Sequence, residues 1–556
     1  MNQNHHQKIT KDIFVTYKPA GISTHRVSNE PDQSCGFVEW LEARFQRSFY
    51  LFHRLDAATS GILLLAETKE AAADWTQLLQ LKKVNKQYLF ITKINLNQSS
   101  LNTLKNVKPN EAITIKSLIS KKKGTWCSEE SHQSNSETRL TLLKSVGVYQ
   151  LWKAQPVTGK THQIRLHAQS LGIPILGDTL YGGAPFYRLC LHAWEIQIAN
   201  TICQDDKEKD FAVDVRKEGA CSLWRADPPP FFSQLELISE SPSLCSFLGA
   251  MDLRDQLIQR KYLSTDSYRL VHSEFPAFRI DRLGDQFWVY DYISHSDKNT
   301  ETSISKETLL QALFQHYPNT PTWVREMQNR GQQPNQSLLQ SIHQPEPRWI
   351  IIENQIHYEM RADQGMSPGL FLDQRENRHW IRSHSQNRKV LNLFSYTCGF
   401  SLNAALGGAS EVVSVDVSQA FLNWGKKNFE LNALVPANYE FWAADSIEFL
   451  RRTLKIKRRF DLIICDPPSF GRSNKGVFNI EKDLSQMIAL AFQLLNPSGL
   501  IFISTNYERW DPSQFKTKAI ANLLSNSFQI VSSPPVAIDF LDTTHPLLKN
   551  LIIERL

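Results

Sequence analysis

Between residues 390 and 504, short and almost continuously apolar runs alternate with segments long enough for helices. The runs are Val390–Phe394, Val412–Val415, Glu440–Ala444, Asp461–Cys465 and Leu500–Ser504, and the intervening helical segments include Ser418–Asn432 and Glu481–Leu495. Ser418 is suited to cap the first of these helices, because its hydroxyl can accept from a free amide of the opening turn. A strand covered on both faces reads as an unbroken apolar run, and strand–helix alternation gives a parallel sheet with helices on either side. The pattern predicts a doubly wound α/β domain over residues 346–556, with ligands bound at the carboxyl ends of its strands.

The rest of the 556-residue chain reads differently. Residues 8–232 hold short alternations (Ile13–Tyr17, Tyr88–Ile91, Tyr149–Ala154) and few long helical stretches, as expected of a mainly antiparallel α+β domain. Lys116–Asn135 is a polar interruption expected to be an exposed loop, and its triple lysine, Lys121 to Lys123, fits either a solvated turn or a phosphate contact. Asp227-Pro228-Pro229-Pro230 marks a boundary, since consecutive prolines continue neither a helix nor a central strand. A small α+β domain is expected over 245–345. It consists of a helix at Leu244–Arg260, strands at Tyr268–His272 and Gln286–Tyr292, another helix and a polar tail, Asn329–Gln344.

Eight cysteines form no C-x-x-C pair and lack clustered histidines, so neither a disulfide scaffold nor a bound metal is expected. The stretch Met1–Asp12 is polar and no apolar run approaches the ~18 residues of a membrane span, which predicts a cytoplasmic protein without export signal or membrane partner. The net charge of +6 is unevenly spread. Up to Pro230 the chain carries 29 Lys and Arg against 22 Asp and Glu; beyond it the count is 33 against 34. A basic excess confined to the first part suggests a polyanionic partner there.

Within that part, Phe52-His53-Arg54-Leu55-Asp56-Ala57-Ala58-Thr59-Ser60-Gly61 precedes the apolar strand Ile62–Ala66, so Asp56 lies in a polar turn against rigid support. Alone it reads as a turn aspartate. A second stretch, Thr158-Gly159-Lys160-Thr161-His162-Gln163-Ile164-Arg165-Leu166-His167, supplies a density of donors unusual for a structural segment, and is followed by Gly177-Asp178 and Tyr181-Gly182-Gly183. Together with Lys18-Pro19-Ala20-Gly21, Lys86-Gln87-Tyr88 and Leu191-His192-Ala193, these blocks resemble the RluA-type RNA pseudouridine synthases over residues 11–232. The resemblance implies that Asp56 is the catalytic carboxylate, that Tyr88 packs on the target base and that Arg165 pairs with Asp56. It also implies that Arg54 fills the space of a flipped-out uridine, with His53, Lys160 and His162 beside it on the RNA. Lys160 departs from the family's more frequent arginine, and no S4-type RNA-binding module precedes Asp12. A guanidinium beside a buried carboxylate keeps it ionised against the cost of burial, which suits this chemistry.

In the last domain, Val390 to Phe400 reads as strand, tight turn and helix start, an arrangement that presents free amides. Asp416 ends the next strand, Asp445 the third, and Asp466-Pro467-Pro468-Ser469-Phe470 follows the fourth, so one rim collects three carboxylates. With Gly369–Arg378, this set is similar to Rossmann-like class I S-adenosylmethionine-dependent methyltransferases, and more narrowly to the RlmI/RlmK-like ribosomal RNA methyltransferases. Tyr268–Glu274 and Arg279–Asp285 extend the resemblance to the small preceding domain. It implies a cofactor held by Phe394, Ser395, Tyr396, Thr397, Gly399, Asp416 on the ribose and Asp445 near the adenine, with the Asp466 loop facing the target base. Cys398 stands where the family usually has glycine and puts cofactor affinity in question. The similar tripeptide Asp227-Pro228-Pro229 has no apolar strand before it and reads as linker.

Methylating carbon 5 of cytosine requires a thiolate to add to the ring, placed in related enzymes just after the fifth strand. Here that position reads Ser504-Thr505-Asn506, and Cys465 should be buried inside its strand. Methylation of a guanine nitrogen is therefore expected over cytosine-5. The expected function is bifunctional RNA modification, the synthase half needing no cofactor, on 23S ribosomal RNA or alternatively transfer RNA, with no DNA partner. The competing expectation is that only the synthase is active and the C-terminal half is an RNA-binding module. Oligomeric state is not legible.

Overall fold

The computed structural model describes residues 12–26, 36–94, 108–131, 133–198, 214–218, 221–259, 265–272, 275, 278–292, 305–327, 339–364, 367–473, 476–540 and 548–556. The polar N-terminal stretch up to residue 11, Ser273-Glu274 and most of the Asn329–Gln344 tail lie outside them.

The first sheet contains ten strands: β1 (Ile13–Lys18), β2 (Ser60–Ala66), β3 (Val84–Lys93), β4 (Ala112–Lys122), β5 (Thr125–Glu129), β6 (Ser136–Val146), β7 (Tyr149–Pro156), β8 (Leu191–Ile198), β9 (Asp214–Glu218) and β10 (Cys221–Arg225). The main path runs β1-β2-β8-β3-β7-β6-β4-β5, with β10 joining β9 to β8. Pairing is antiparallel except where β2 meets β8. All seven residues of β2 are buried. Gly61 is obligatory in it: at φ +121° a Cβ would stand 2.1 Å from the Ala193 carbonyl oxygen of β8.

Lys116–Asn135 is not the expected loop. β4 and β5 form a hairpin there, with Lys121 opposite Trp126 and Lys123 in its turn at φ +47°. Its inward face mixes buried Ser117 with buried Ile119, and polar side chains flank both, so no unbroken apolar period announces it. The triple lysine thus caps an exposed ribbon. The prolines at 228–230 do not start a free linker either. Phe231, Phe232, Leu235 and Ile238 are buried in the cluster containing Phe90, Trp152 and Leu191.

The helix Pro242–Gln259 then leads to a five-stranded sheet of β11 (Ser267–Val271), β12 (Phe278–Leu283), β13 (Gln286–Asp291), β14 (Thr322–Glu326) and β15 (Leu339–Ile342), in that order, with the helix Lys306–His316 between β13 and β14. Phe247, Phe278, Ile280 and Leu309 belong to the same buried cluster as Ile62 and Trp75, so the first two sheets share a core. A hairpin of β16 (Arg348–Glu353) and β17 (Ile356–Arg361) joins Leu283 and Trp288 to Leu402 and Leu422 of the last domain.

The last sheet comprises β18 (Lys389–Leu393), β19 (Glu411–Asp416), β20 (Glu440–Ala443), β21 (Phe460–Cys465), β24 (Leu495–Thr505), β25 (Phe528–Val531) and β26 (Lys549–Arg555), ordered β20-β19-β18-β21-β24-β26-β25. A hairpin of β22 (Phe470–Ser473) and β23 (Gly476–Asn479) stands apart. The five expected strands pair in parallel, but β26 runs antiparallel to β24 and carries β25, so the sheet is mixed. Ser418 caps the helix Gln419–Leu431, accepting from the Phe421 amide. Buried ion pairs hold this part together, and one of their arginines also bonds the central sheet. Arg378 makes two 2.7 Å bonds to Glu353, and Arg375 bonds Asp539 at 2.6 Å and the Ser267 carbonyl at 2.7 Å. Among the described residues, no helix is long and apolar enough to cross a membrane.

Candidate functional sites

The turn before β2 is locked from below. Lys18, wholly buried at the end of β1, donates to the carbonyls of Pro19, Ile22 and Ala57 at 2.8, 2.7 and 3.0 Å. Burial and the nearby Arg188 charge lower its amine to about 7, against the pull of Asp56. The turn closes on itself through the Thr59 amide, which donates to the Asp56 carbonyl at 3.0 Å. Asp56 faces a cavity of about 570 Å³ together with Arg54, Tyr88, Lys160, His162 and Arg165.

The opposite wall is the helix Gln163–Ser170. Its N-cap, His162, adopts φ +56°, a left-handed conformation that costs a non-glycine residue about 1 kcal/mol or more. The strained turn aims two groups inward. His162 Nδ1 lies 2.7 Å from the Tyr181 hydroxyl and its Nε2 3.9 Å from Asp56 Oδ2. Burial lowers the His162 pKa despite Asp56, favouring the neutral ring. Arg165 reaches Asp56 at 3.5 Å, but its two short bonds, both 2.7 Å, go to Asp178. The expected Asp56/Arg165 pairing is thus the long arm of a three-residue arrangement, and the Arg165 guanidinium also lies 4.9 Å from the centre of the Tyr181 ring.

Tyr88, on β3, is half-buried on the cavity floor, and burial together with Asp56 raises its hydroxyl pKa. Arg54 is exposed at the mouth, donating to Thr161 Oγ1 at 3.4 Å; Lys160 is exposed beside it. His53 lines the same cavity; its Nε2 accepts from the Leu64 amide at 3.0 Å, and burial lowers its pKa to about 3. Its ring therefore braces the turn against β2. Asp178, Tyr181 and Lys18 stood within motif blocks of the sequence, but local spacing could not show that they support Arg165 and Asp56.

The second site forms around the turn after β18. Phe394, Tyr396 and Cys398 all have positive φ, at 54°, 48° and 60°. Three such residues in five bend the chain sharply into the helix Gly399–Leu406. Asp416 Oδ2 accepts from the Tyr396 amide and Oδ1 from the Ser418 amide, both at 2.9 Å. Thr397 Oγ1 donates to the Gly369 carbonyl at 2.6 Å, tying in the Gly369–Arg378 segment. A cavity of about 500 Å³ opens here, lined by Phe394, Ser395, Tyr396, Thr397, Gly399, Asp416, Asp445 and Asp466. Asp445 also caps the helix Ser446–Lys455, accepting from two amides at 3.1 Å. Asp466 accepts from Ser504 Oγ at 2.7 Å and from Gln374 Nε2 at 3.2 Å, and burial raises its carboxyl to about 7.

Cys398 does not face this cavity. Its side chain is fully buried and points at Gly425, where a Cβ would lie 2.4 Å from Cys398 Sγ. Cys465 is buried within β21, and burial raises its thiol pKa. Thr505 is buried and Asn506 lines the cavity. Asp227 lines neither cavity. Among the described residues, no group of three or more potential ligands is placed to hold a metal.

The cofactor cavity suits S-adenosylmethionine by its chemistry: Asp416 can accept ribose hydroxyls, Val417 and Phe421 offer an apolar surface to the adenine, and the acidic lining of Asp373, Asp416, Asp445 and Asp466 attracts a sulfonium. Comparison with known proteins agrees. Residues 12–170 match the RNA pseudouridylate synthase family, and residues 324–542 the S-adenosylmethionine-dependent methyltransferase family. The chain is 35% identical over 259 residues to ribosomal RNA large subunit methyltransferase I of Erwinia tasmaniensis, covering 46% of this chain and 63% of that protein. It is 33% identical over 254 residues to ribosomal RNA large subunit methyltransferase K/L of a Shewanella strain, covering 44% and 35%. The match thus spans less than two thirds of these curated relatives. The solved structure of human RNA pseudouridylate synthase domain containing 1 aligns with 41% of this chain and 87% of its own, at 24% identity and a TM-score of 0.28. The chain therefore joins an RNA pseudouridylate synthase domain, in its N-terminal part, to an S-adenosylmethionine-dependent methyltransferase domain in its C-terminal part.

Proposed function

We propose that both domains are active and that the protein isomerises a uridine to pseudouridine and methylates a guanine nitrogen, with 23S ribosomal RNA as substrate. The observation that carries this reading is the completeness of both cavities, each keeping its carboxylates on a supported turn. In the first, the Asp56 carboxylate attacks C1′ of the flipped-out nucleoside as the base leaves through N1, and its bond to C1′ breaks again when C5 bonds that carbon, while Arg165 holds the carboxylate and Tyr88 packs on the base. The N1–C1′ bond breaks, the base turns, and a C5–C1′ bond forms; C5 loses its proton and N1 ends protonated. Arg54 and Lys160 at the mouth suit the vacated stack and the phosphates. No external group is consumed.

In the second, S-adenosylmethionine supplies an electrophilic methyl group when bound. Asp416 orients it through the ribose, and the Asp466 loop positions the acceptor. A ring nitrogen such as N7 of guanine uses its own lone pair and loses no proton, so orientation suffices. Cytosine-5 chemistry would need a thiolate, and neither Cys398 nor Cys465 lines the cavity. Large-subunit RNA is favoured because the relatives matched by the C-terminal half carry that substrate in their names.

Nucleoside mass spectrometry of ribosomal and transfer RNA, with and without the gene, tests the reading. The expected result is loss of one pseudouridine and one methylguanosine from 23S RNA. Loss of 5-methylcytosine, or changes confined to transfer RNA, would overturn those parts. Calorimetry showing no S-adenosylmethionine binding would leave the C-terminal half as an RNA-binding module.

A further inference from the structure

A second cavity of about 430 Å³ adjoins the cofactor cavity, and Phe371, Asp373, Tyr396 and Asn506 line both. Its far wall is one face of the central sheet. Arg269 of β11 stands opposite Asp281 of β12, and Arg279 of β12 opposite Tyr290 of β13. Directly opposed residues share a face and alternate residues repeat it, so all four point the same way, with Tyr292 following. Sheet faces that meet another domain are ordinarily apolar; this one presents charge.

Its two cations are in different situations. Arg269 is neutralised by Asp281, 2.5 Å from its Nε, and also bonds His272 Nδ1 at 3.0 Å. Arg279 lies 5.2 Å over the Tyr292 ring, and its buried Nε has no hydrogen-bond partner among the described residues. Among the described residues, no carboxylate is within ion-pair distance of it. A guanidinium held in place by an aromatic ring and left unsatisfied is prepared for a bidentate oxyanion. Across the cavity, Phe371 is 47% exposed, an unusual state for a phenylalanine at a domain junction, and its ring is 5.5 Å from that of Tyr396. An exposed aromatic face at the boundary with the cofactor cavity suits a base, which gains about 1–3 kcal/mol by such stacking.

We propose that this cavity receives the methyl-acceptor nucleotide of the RNA, Arg279 binding the adjoining phosphate and Phe371 stacking on the base at the entrance to the cofactor cavity. The assignment rests on the C-terminal half being an RNA methyltransferase. The central sheet then takes part in substrate recognition and is not merely a spacer between the two enzyme domains.

The test uses the full chain with ribosomal RNA from cells lacking the gene. Arg279→Gln, which approximates the side chain's volume, should raise KM for RNA in methyl transfer by about tenfold and flatten the salt dependence by about one phosphate contact. Arg279→Lys should recover part of the loss. Calorimetric S-adenosylmethionine affinity and pseudouridine formation should stay within about twofold of the parent. With S-adenosylhomocysteine present, guanosine 5′-monophosphate should bind better than guanosine, and the difference should vanish in Arg279→Gln. Unchanged KM and salt dependence in that variant, with normal transfer by the parent, would overturn the assignment alone. Weakened S-adenosylmethionine binding in the variant would also overturn it, because Arg279 would then be supporting the cofactor cavity. Absence of methyl transfer by the parent would overturn the underlying reading, and the assignment with it.

Discussion

Asp178 holds Arg165 by two bonds of 2.7 Å, Nε to Oδ2 and Nη2 to Oδ1, leaving Nη1 3.5 Å from Asp56. Asp178 is 2% exposed, so it acts through Arg165 and not on substrate. Asp178→Asn should therefore lower kcat for pseudouridine formation by about 10- to 100-fold with little change in KM. Asp178→Ala should in addition cost about 3 kcal/mol of stability, because a buried guanidinium loses its partner. Steady-state kinetics and denaturant melts check both; a variant that raised KM alone would place Asp178 in RNA binding.

Asp56→Ala should abolish pseudouridine formation and leave methyl transfer within about twofold of the parent, since the two cavities share no lining residue. Mass spectrometry of one RNA preparation reads both products. Equal loss of the two would show that the sites are coupled.

Gly425 and Cys398 should behave as a pair. A Cβ at 425 would stand 2.4 Å from Cys398 Sγ, so Gly425→Ala should cost about 1–3 kcal/mol. Cys398→Gly removes the obstructing atom and relieves a left-handed residue at φ +60°, so the double variant should recover most of that loss. Cys398→Gly alone should leave S-adenosylmethionine affinity within about twofold, measured by calorimetry, because the thiol points away from the cofactor cavity. A tenfold change would refute that orientation.

Stability should depend on Asp466 in a defined pH window. Burial raises its carboxyl from 3.8 to about 7, while the Ser504 bond opposes the shift. Between those values the folded chain retains a proton that the unfolded chain has lost, so stability is greatest below the window and falls as pH rises through it. The loss over the whole window should be about 4 kcal/mol, and Asp466→Asn should remove it. Thermal melts from pH 4.5 to 8 distinguish the two proteins; parallel curves would show that Asp466 is ionised throughout.

The central parallel strands were legible because they are covered on both faces and their apolar runs survive in any window of sequence: β19 and β21 are almost wholly buried, whereas the edge strand β20 is partly exposed. The β4–β5 hairpin escaped because its inward face includes a buried serine, Ser117, beside Ile119, so no unbroken apolar period distinguishes it from a loop. β26 was missed for another reason. Its Asn550-Leu551-Ile552-Ile553 core is too short to separate strand from helix, and only insertion beside β24 settles the matter.

The candidate residues divide along the same line. Asp56, Asp416 and Asp466 stand out in the chain because reactive groups cluster at strand ends, and Arg165 because it lies in a donor-rich segment; both are local properties. Which carboxylate Arg165 prefers, where His53 points and what Cys398 touches were settled by packing between segments distant in sequence. Hydrogen-bond partners and desolvation depend on three-dimensional neighbours, and spacing along a chain does not encode them. The same holds for Arg279: in sequence it is one arginine in a strand, and only the fold sets it beside the cofactor cavity with no ion-pair partner among the described residues.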